Sequence, residues 1–415
     1  MSNRKNSIVF KPGQIGNIEL KNRLVRSATY ENAANVDGTV SEKLIGIYRD
    51  LSRGGAGLIV TGATGTYPKA LFPHLMMGIY DDRFIPGLKK IPQAVKAADE
   101  RCKIMLQLHH PGRQVRDSKT QKKIVSYRPE ALQVYLSKHP EILKNVKEPD
   151  HTIEPVAPSA VFDPLFERTP QALTLEKIDD IIEAYAEGAR RAREAGFDGV
   201  QVHAAHGWLL SSFISPHTNQ RQDIYGGSTE NRARIITDIY NRARKKVGQD
   251  YPFIMKMNTT DCLDTGLDIK EVLKLAELLE KTGFAAIETS GGMWECLTRS
   301  RKDLGFPPVF IPEARTKINS PDQEAYFLPA AQALKKKIDI PIILVGGNKS
   351  FSKIEEILES GGSDFVSMSR PLVRQPDLPN LWLSGKGKDN VECIFCNGCL
   401  PAGSEPLTCT AVKGS

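Results

Sequence analysis

Short apolar runs alternate with longer amphipathic stretches along the chain, eight times over. In order, the runs are NRLVRSA, GLIVTG, KIMLQLHH, GVQVHAAH, FIMKMNT, AAIETSGG, PIILVGG and FVSMSR. Each is too short for a helix and apolar enough to be covered on both faces, as strands of a parallel sheet are. Segments such as LEKIDDIIEAYAEGARRAREAGF and STENRARIITDIYNRARKKVG lie between them, with apolar positions recurring at the helical period. Eight strand–helix units predict an α/β fold of one (β/α)8 barrel. The competing doubly wound sheet lacks its sign, a G-x-G-x-x-G after an early strand. Two intervals are long for barrel loops. One is basic and weakly periodic, from about Gly112 to Pro158, and reads as a lid or excursion after the third strand. The other, WECLTRSRKDLGFPPVFIPEARTKINS, follows the sixth. The pattern divides the chain into a barrel over 8–382 and a cysteine-rich extension over 383–415.

Composition narrows the function classes. Of 415 residues, 40% are hydrophobic and 25% charged, the balance of a soluble globular protein. No run of about 18 apolar residues predicts a transmembrane helix. The start, MSNRKNSIVFKPG, has basic residues but no apolar h-region, so the expectation is a cytoplasmic enzyme. The net charge of +7 comes from scattered residues and reads as a solvated surface, with no nucleic-acid or membrane partner indicated. Four of the seven cysteines, Cys393, Cys396, Cys399 and Cys409, crowd into the tail. In a large chain without a signal peptide such a cluster suggests metal more than disulfides.

Active sites of (β/α)8 barrels lie at the carboxyl ends of the strands. Here those ends carry Gln107, His109, His110, His203, His206, Lys256, Glu288, Gly346, Gly347 and Arg370. Glycines just past a strand let backbone N–H groups approach a phosphate, and an arginine adds a two-pronged charge. Gly346, Gly347 and Arg370 follow the seventh and eighth strands, where these barrels usually hold phosphate. A phosphate site without a dinucleotide fold points to a mononucleotide such as FMN, or to a sugar phosphate. Lys256 could stabilise an anionic reduced flavin, and Gln107 could bond its pyrimidine edge. Read alone, each is as well explained as an ion-pair partner and a buried amide. His203 and His206 could be ligands, acids or donors; zinc would need a third ligand.

The segment HAAHGWLLSSFISPHTNQRQDIYGGSTENRARI closely resembles the signature of the Old Yellow Enzyme family of FMN-dependent oxidoreductases. So do LKNRLVRSATYE, GGAGLIVTGAT, LQLHHPGRQ and VAPSA, and the resemblance runs from about Ile8 to Trp382. It implies FMN at the barrel mouth, reduced by NADH or NADPH and reoxidised by hydride transfer to an activated alkene. It implies that Ser27, Ala28, Thr29 and Ala63 line the isoalloxazine, that Gln107 meets the pyrimidine edge and Lys256 the N1 side. Gly346, Gly347, Ser369 and Arg370 match the phosphate cradle. Arg221, Asp223, Glu230 and Arg232 look structural. His203 and His206 match the pair that hydrogen-bonds a substrate oxygen and polarises the alkene.

Two departures bear on the chemistry. Trp208 stands where the family carries its proton-donating tyrosine, and an indole N–H is far too weak an acid. Tyr30 follows Ser-Ala-Thr where other members hold threonine or cysteine, so it, His109, His110 or water could bring the proton. Trp208 would then line the substrate pocket. The tail, spaced C-x2-C-x2-C-x9-C, is similar to the cluster-binding loop of 2,4-dienoyl-CoA reductase and trimethylamine dehydrogenase, though there the second gap is x3 and the third longer, so the match is incomplete. It could hold a [4Fe–4S] cluster or zinc, or no metal. A cluster would exchange electrons with a separate partner. The remaining expectations are a small-molecule substrate and compatibility with a homo-oligomer. Two alternatives stay open: an FMN-dependent dehydrogenase or demethylase acting on an amine or alcohol, and a flavin-free phosphate-binding lyase or isomerase.

Overall fold

All eight apolar runs form strands of one parallel sheet. The computed structural model describes residues 4–68, 75–115, 154–307, 312–399 and 406–412. The strands are β1 (Leu24–Arg26), β2 (Leu58–Gly65), β3 (Lys103–His109), β4 (Gly199–Ala204), β5 (Phe253–Asn258), β6 (Ala286–Ser290), β7 (Ile342–Leu344) and β8 (Phe365–Met368). Each pairs with its neighbours in order, and β1 pairs with both β2 and β8, which closes the barrel.

Closure gives every strand an inner and an outer face, and the two-residue repeat sorts the side chains between them. Val25, Leu58, Val60, Met105, Ile254, Ala286, Ile343 and Phe365 form one apolar cluster inside the barrel. Ile15 and Leu20 join it from a short hairpin, Gly13–Ile15 with Ile18–Leu20. Two residues further along the strands the inner layer turns polar: Ser27, Gln107, Lys256, Glu288 and Ser367, with Gln201 in register with Gln107. Two residues beyond that stand His109, His203, Asn258 and Ser290. An apolar floor under polar layers is what positions the site.

The helices pack outside. They include α1 (Glu42–Arg53), α2 (Ile85–Ala98), α3 (Leu175–Glu194), α4 (Thr229–Val247), α5 (Ile269–Thr282), α6 (Leu328–Lys335) and α7 (Phe351–Glu359). Ser41, Thr174, Ser228 and Asp268 cap α1, α3, α4 and α5 by accepting a backbone N–H of the first turn. α3 turns Ile178, Ile181, Ile182, Tyr185, Ala189 and Ala192 inward at helical spacing. Among the described residues no helix is long and apolar enough to cross a membrane.

Long connections do follow β3 and β6, which end 66 and 38 residues before α3 and α6 start (175 − 109 and 328 − 290). Most of the expected lid, 116–153, lies outside the described residues. The loop after β4 is tied as the sequence suggested. Arg221 bonds Asp223 and the carbonyls of Pro158 (2.7 Å) and Leu173 (2.6 Å). Arg232 holds the carbonyls of Ile214 (2.9 Å) and Gly227 (2.5 Å) and pairs with Glu271. Glu230, in the first turn of α4, is held below the usual carboxylate range by its backbone and Ser228 hydrogen bonds.

Candidate active site

The middle layer centres on Glu288, a fully buried carboxylate. Its Oε1 accepts hydrogen bonds from Ser27 Oγ and Ser367 Oγ, both 2.7 Å. Its Oε2 accepts from Gln201 Nε2 (2.8 Å) and faces Lys256 Nζ at 3.2 Å. Lys256 also donates to Ser27 Oγ (2.9 Å), and Gln107 Nε2 donates to Gln201 Oε1 (2.7 Å). Burial pushes the Glu288 carboxyl up, but Lys256 and the three neutral donors more than offset it and hold it below its ordinary value. Ser27, Gln107 and Lys256 are therefore members of one network. Gln201 and Ser367, not singled out from sequence, complete it; their signal is position, two residues past an inward apolar side chain or in register with Gln107.

Above this layer three imidazoles meet. His109 Nδ1 lies 3.1 Å from His203 Nδ1, His203 Nε2 lies 3.1 Å from His206 Nδ1, and His206 Nε2 lies 2.6 Å from Ser290 Oγ. His109 Nε2 is buried without a hydrogen-bond partner. Burial first, and neighbouring rings or Lys256 second, lower all three well below the ordinary histidine value. All three are neutral near pH 7. His206 has a left-handed backbone (φ 66°), a strained state for a side chain with a Cβ. It is pinned there: its N–H donates to Asn258 Oδ1 (3.0 Å) and its carbonyl accepts from Gln114 Nε2 (2.6 Å).

Trp208, at the start of the short helix Leu209–Ile214, lies among these rings, with centroids 4.7 Å from His109, 6.3 Å from His203 and 5.5 Å from Trp294. Tyr30 directs its hydroxyl to Asn32 Oδ1 (2.5 Å). His110 accepts from the Gly112 N–H (3.0 Å), and burial lowers it to about 4.

Sequence reasoning missed Glu313. The excursion after β6 brings this carboxyl back over the mouth, with Oε1 3.6 Å from His206 Nδ1. Its Oε2 is buried without a partner. Burial pushes it up to about 8, with Lys256 and Arg370 opposing too weakly to reverse the shift. Near neutral pH the side chain is mostly a protonated acid.

At the opposite edge, Gly346 (φ 114°) and Gly347 (φ 74°) follow β7 in backbone states that favour glycine. A Cβ on Gly346 would lie 2.7 Å from the rings of Tyr326 and Phe327. Asn348 Oδ1 is buried without a partner. Thr29 Oγ1 donates to Ser369 Oγ (2.8 Å), joining the ends of β1 and β8. Ala63 is in register with Gln107, and Ala28 packs partly buried against the floor cluster. Arg370 donates to Asn397 Oδ1 (2.6 Å) and the Arg315 carbonyl (2.9 Å), with its guanidinium over the Phe395 ring. A strand-end cation, an amide, a glycine pair with positive φ, an arginine and orphaned buried atoms fit the needs of FMN. Gly346→Ala should add about 1–3 kcal/mol of backbone strain. The variant is expected to purify with a lower flavin-to-protein ratio and a raised FMN dissociation constant, measured by fluorescence titration.

The tail cysteines lie within electrostatic reach of one another and of Arg370, and all seven cysteines are free. Burial pushes Cys399 up to about 12. Among the described residues no group of three or more His, Cys, Asp or Glu side chains is arranged to hold a metal ion.

A closed (β/α)8 barrel with this strand-end chemistry is the architecture of a flavin-dependent oxidoreductase. The chain belongs to the NADH:flavin oxidoreductase / NADH oxidase family, whose family model matches residues 8–386. FMN is that family's cofactor, with NADH or NADPH as reductant. The chain is 31% identical to an NADH oxidase of Thermoanaerobacter brockii, over 94% of this chain and 53% of the relative. It is 33% identical to a metal reductase of Desulforamulus reducens, over 95% and 51%. It thus spans about half the length of these two curated relatives. The structure is similar to an Old Yellow Enzyme homologue from Zymomonas mobilis, with a TM-score of 0.69 and 26% identity over 94% of this chain and 95% of that one.

Proposed function

We propose that the protein reduces activated, α,β-unsaturated substrates at the expense of NADH or NADPH. When bound, FMN would supply the hydride chemistry that links the nicotinamide to the substrate β-carbon. Gly346, Gly347, Ser369 and Arg370 hold its phosphate. Ser27, Ala28, Thr29 and Ala63 would line the ring, Gln107 would meet the pyrimidine edge, and Lys256 would supply a positive charge on the N1 side. His203 and His206 donate to a substrate oxygen, which takes the place of the hydrogen bond between their rings. Being neutral, they polarise that oxygen without protonating it outright. Trp208 lines the pocket, and Tyr30 serves as a reserve proton donor.

The observation that carries this reading is the gathering of three buried imidazoles and the Glu313 carboxyl at one barrel mouth, where burial disfavours the charged form of each. Enolate-like charge is stabilised by such donors. The proton leaves Glu313 for the substrate α-carbon, and the carboxylate regains one from solvent. Free cysteines suit a cytoplasmic setting. The substrate is a small molecule, and the barrel is 8–382 with the tail from 383 as an extension.

The second reading, oxidation of an amine or alcohol, is favoured by Trp208 in place of the family's tyrosine. Anaerobic rapid mixing decides between them. NADPH or NADH should bleach the flavin absorbance and 2-cyclohexenone should restore it, while an amine leaves the oxidised enzyme unchanged. Bleaching by an amine, with no reoxidation by the enone, would establish the second reading.

A further inference from the structure

The loops after β5 and β6 bring together two thiols outside the site described above. Gly292 N–H donates to the Thr260 carbonyl (2.7 Å) and Met293 N–H to that of Asp261 (3.0 Å), which joins the loops. Arg299 ties the two cysteines directly. Its backbone N–H donates to the Cys296 carbonyl (3.0 Å), and its Nη1 to the Cys262 carbonyl (2.9 Å). The Cys262 and Cys296 side chains are neighbours, close enough to act on each other electrostatically. Cys262 is partly exposed, with a left-handed backbone (φ 58°), and Cys296 is buried.

The two thiols are unequal. The neighbouring Cys296 side chain holds the Cys262 thiol below its ordinary range, against burial and with help from the Arg315 guanidinium. The same proximity and burial push Cys296 up. A partly exposed thiol under the influence of a guanidinium, beside a buried partner thiol, has the attributes of an attacking and a resolving cysteine.

We propose that Cys262 and Cys296 are a redox-active pair that reacts with small disulfides and closes reversibly into an intramolecular disulfide. The Cys262 thiolate attacks one sulfur of a small disulfide such as oxidised glutathione. That S–S bond breaks, one thiolate leaves, and a mixed disulfide forms on Cys262. Cys296 then loses its proton and attacks the Cys262 sulfur. The mixed disulfide breaks, a second thiolate leaves, and the two cysteine protons end on the two released thiols. Two protein thiols are oxidised and one small disulfide is reduced, and an excess of small thiol reverses the sequence.

Cys296 lies in the short helix Trp294–Thr298, whose Trp294 packs on Trp208 and whose Glu295 pairs with Arg113 and His217. A disulfide there ties the β5 loop covalently to one wall of the mouth. The inference does not depend on alkene reduction.

Trypsin places the two cysteines in separate peptides, 257–270 and 282–299, each with a single cysteine. Flavin-loaded enzyme is incubated with oxidised glutathione, alkylated without reduction, digested and analysed by mass spectrometry. The two peptides should appear joined and separate on adding dithiothreitol. Cys296→Ser should instead accumulate a glutathione adduct on the Cys262 peptide. Adducts confined to the tail cysteines, or both peptides recovered alkylated and unlinked, would overturn the proposal. So would Cys262→Ser collecting the adduct on Cys296 as fast as Cys296→Ser collects it on Cys262.

Discussion

Glu313→Gln should slow enone-driven reoxidation of the reduced flavin by about 10²–10⁴-fold, the usual contribution of a positioned general acid. Reduction by NADPH should be unchanged, because no substrate carbon is protonated in that half. The glutamine keeps the shape of the side chain and removes only the transferable proton. The pH dependence carries the sign. The carboxyl is pushed up to about 8, so the acid form prevails below that pH and the carboxylate above it. The wild-type reoxidation rate should hold at neutral pH and fall as pH rises through about 8. In Glu313→Gln that descent should vanish along with the fast rate. Rapid-mixing traces across pH test both halves on one sample. A variant with the wild-type profile would hand the proton to Tyr30, to His109 with its unpartnered Nε2, or to water.

That acid was not legible in the sequence, and the reason is physical. The eight strands were legible because a parallel strand is covered on both faces and leaves an unbroken apolar run. Helices between them announced themselves by period and capping residues. Glu313 sits in an irregular excursion with no period to read, and its meaning depends on where the chain returns, beside His206. The histidine chain was half legible. His203 and His206 stand three residues apart, but His109 joins them only because β3 and β4 are neighbours in the closed sheet. The hairpin that plugs the floor escaped notice because its strands have three residues each, below the length at which alternation is a signal. The approach of Asn397 and Phe395 to Arg370 is equally a fact of tertiary geometry. Glu288 was visible as a polar residue at a strand end, but its four partners come from β4, β5, β8 and the residue just after β1, and could only be counted once the barrel was closed.

Those partners make Lys256 a sensitive position for stability. Lys256→Met leaves a buried carboxylate without its cation, an event that costs about 3–5 kcal/mol. The hydroxyls of Ser27 and Ser367 and the Gln201 amide remain, but none brings a full charge. Adding Glu288→Gln to Lys256→Met removes the stranded charge. The amides of Gln201 and Gln107 can then turn over to match the new donor, and much of the lost stability should return. Acidity separates this account from a simple packing defect. In the wild type the Glu288 carboxyl is held below its ordinary value, so its contribution is present above the unfolded value of about 4.3 and is lost as pH falls through the folded one. In Lys256→Met burial acts on that carboxyl without its main opponent and raises it above the unfolded value. The folded variant then binds more protons than the unfolded chain, so this group adds stability as pH falls from neutral toward about 4.3. The gap in unfolding free energy between wild type and Lys256→Met should therefore narrow on acidification, whereas a cavity would leave it constant. Urea unfolding of flavin-loaded and flavin-stripped protein, at neutral pH and near pH 5, measures the gap and separates it from weaker FMN binding. A gap below about 1 kcal/mol at neutral pH, or one that does not change with pH, would mean that Lys256 does not hold Glu288 charged.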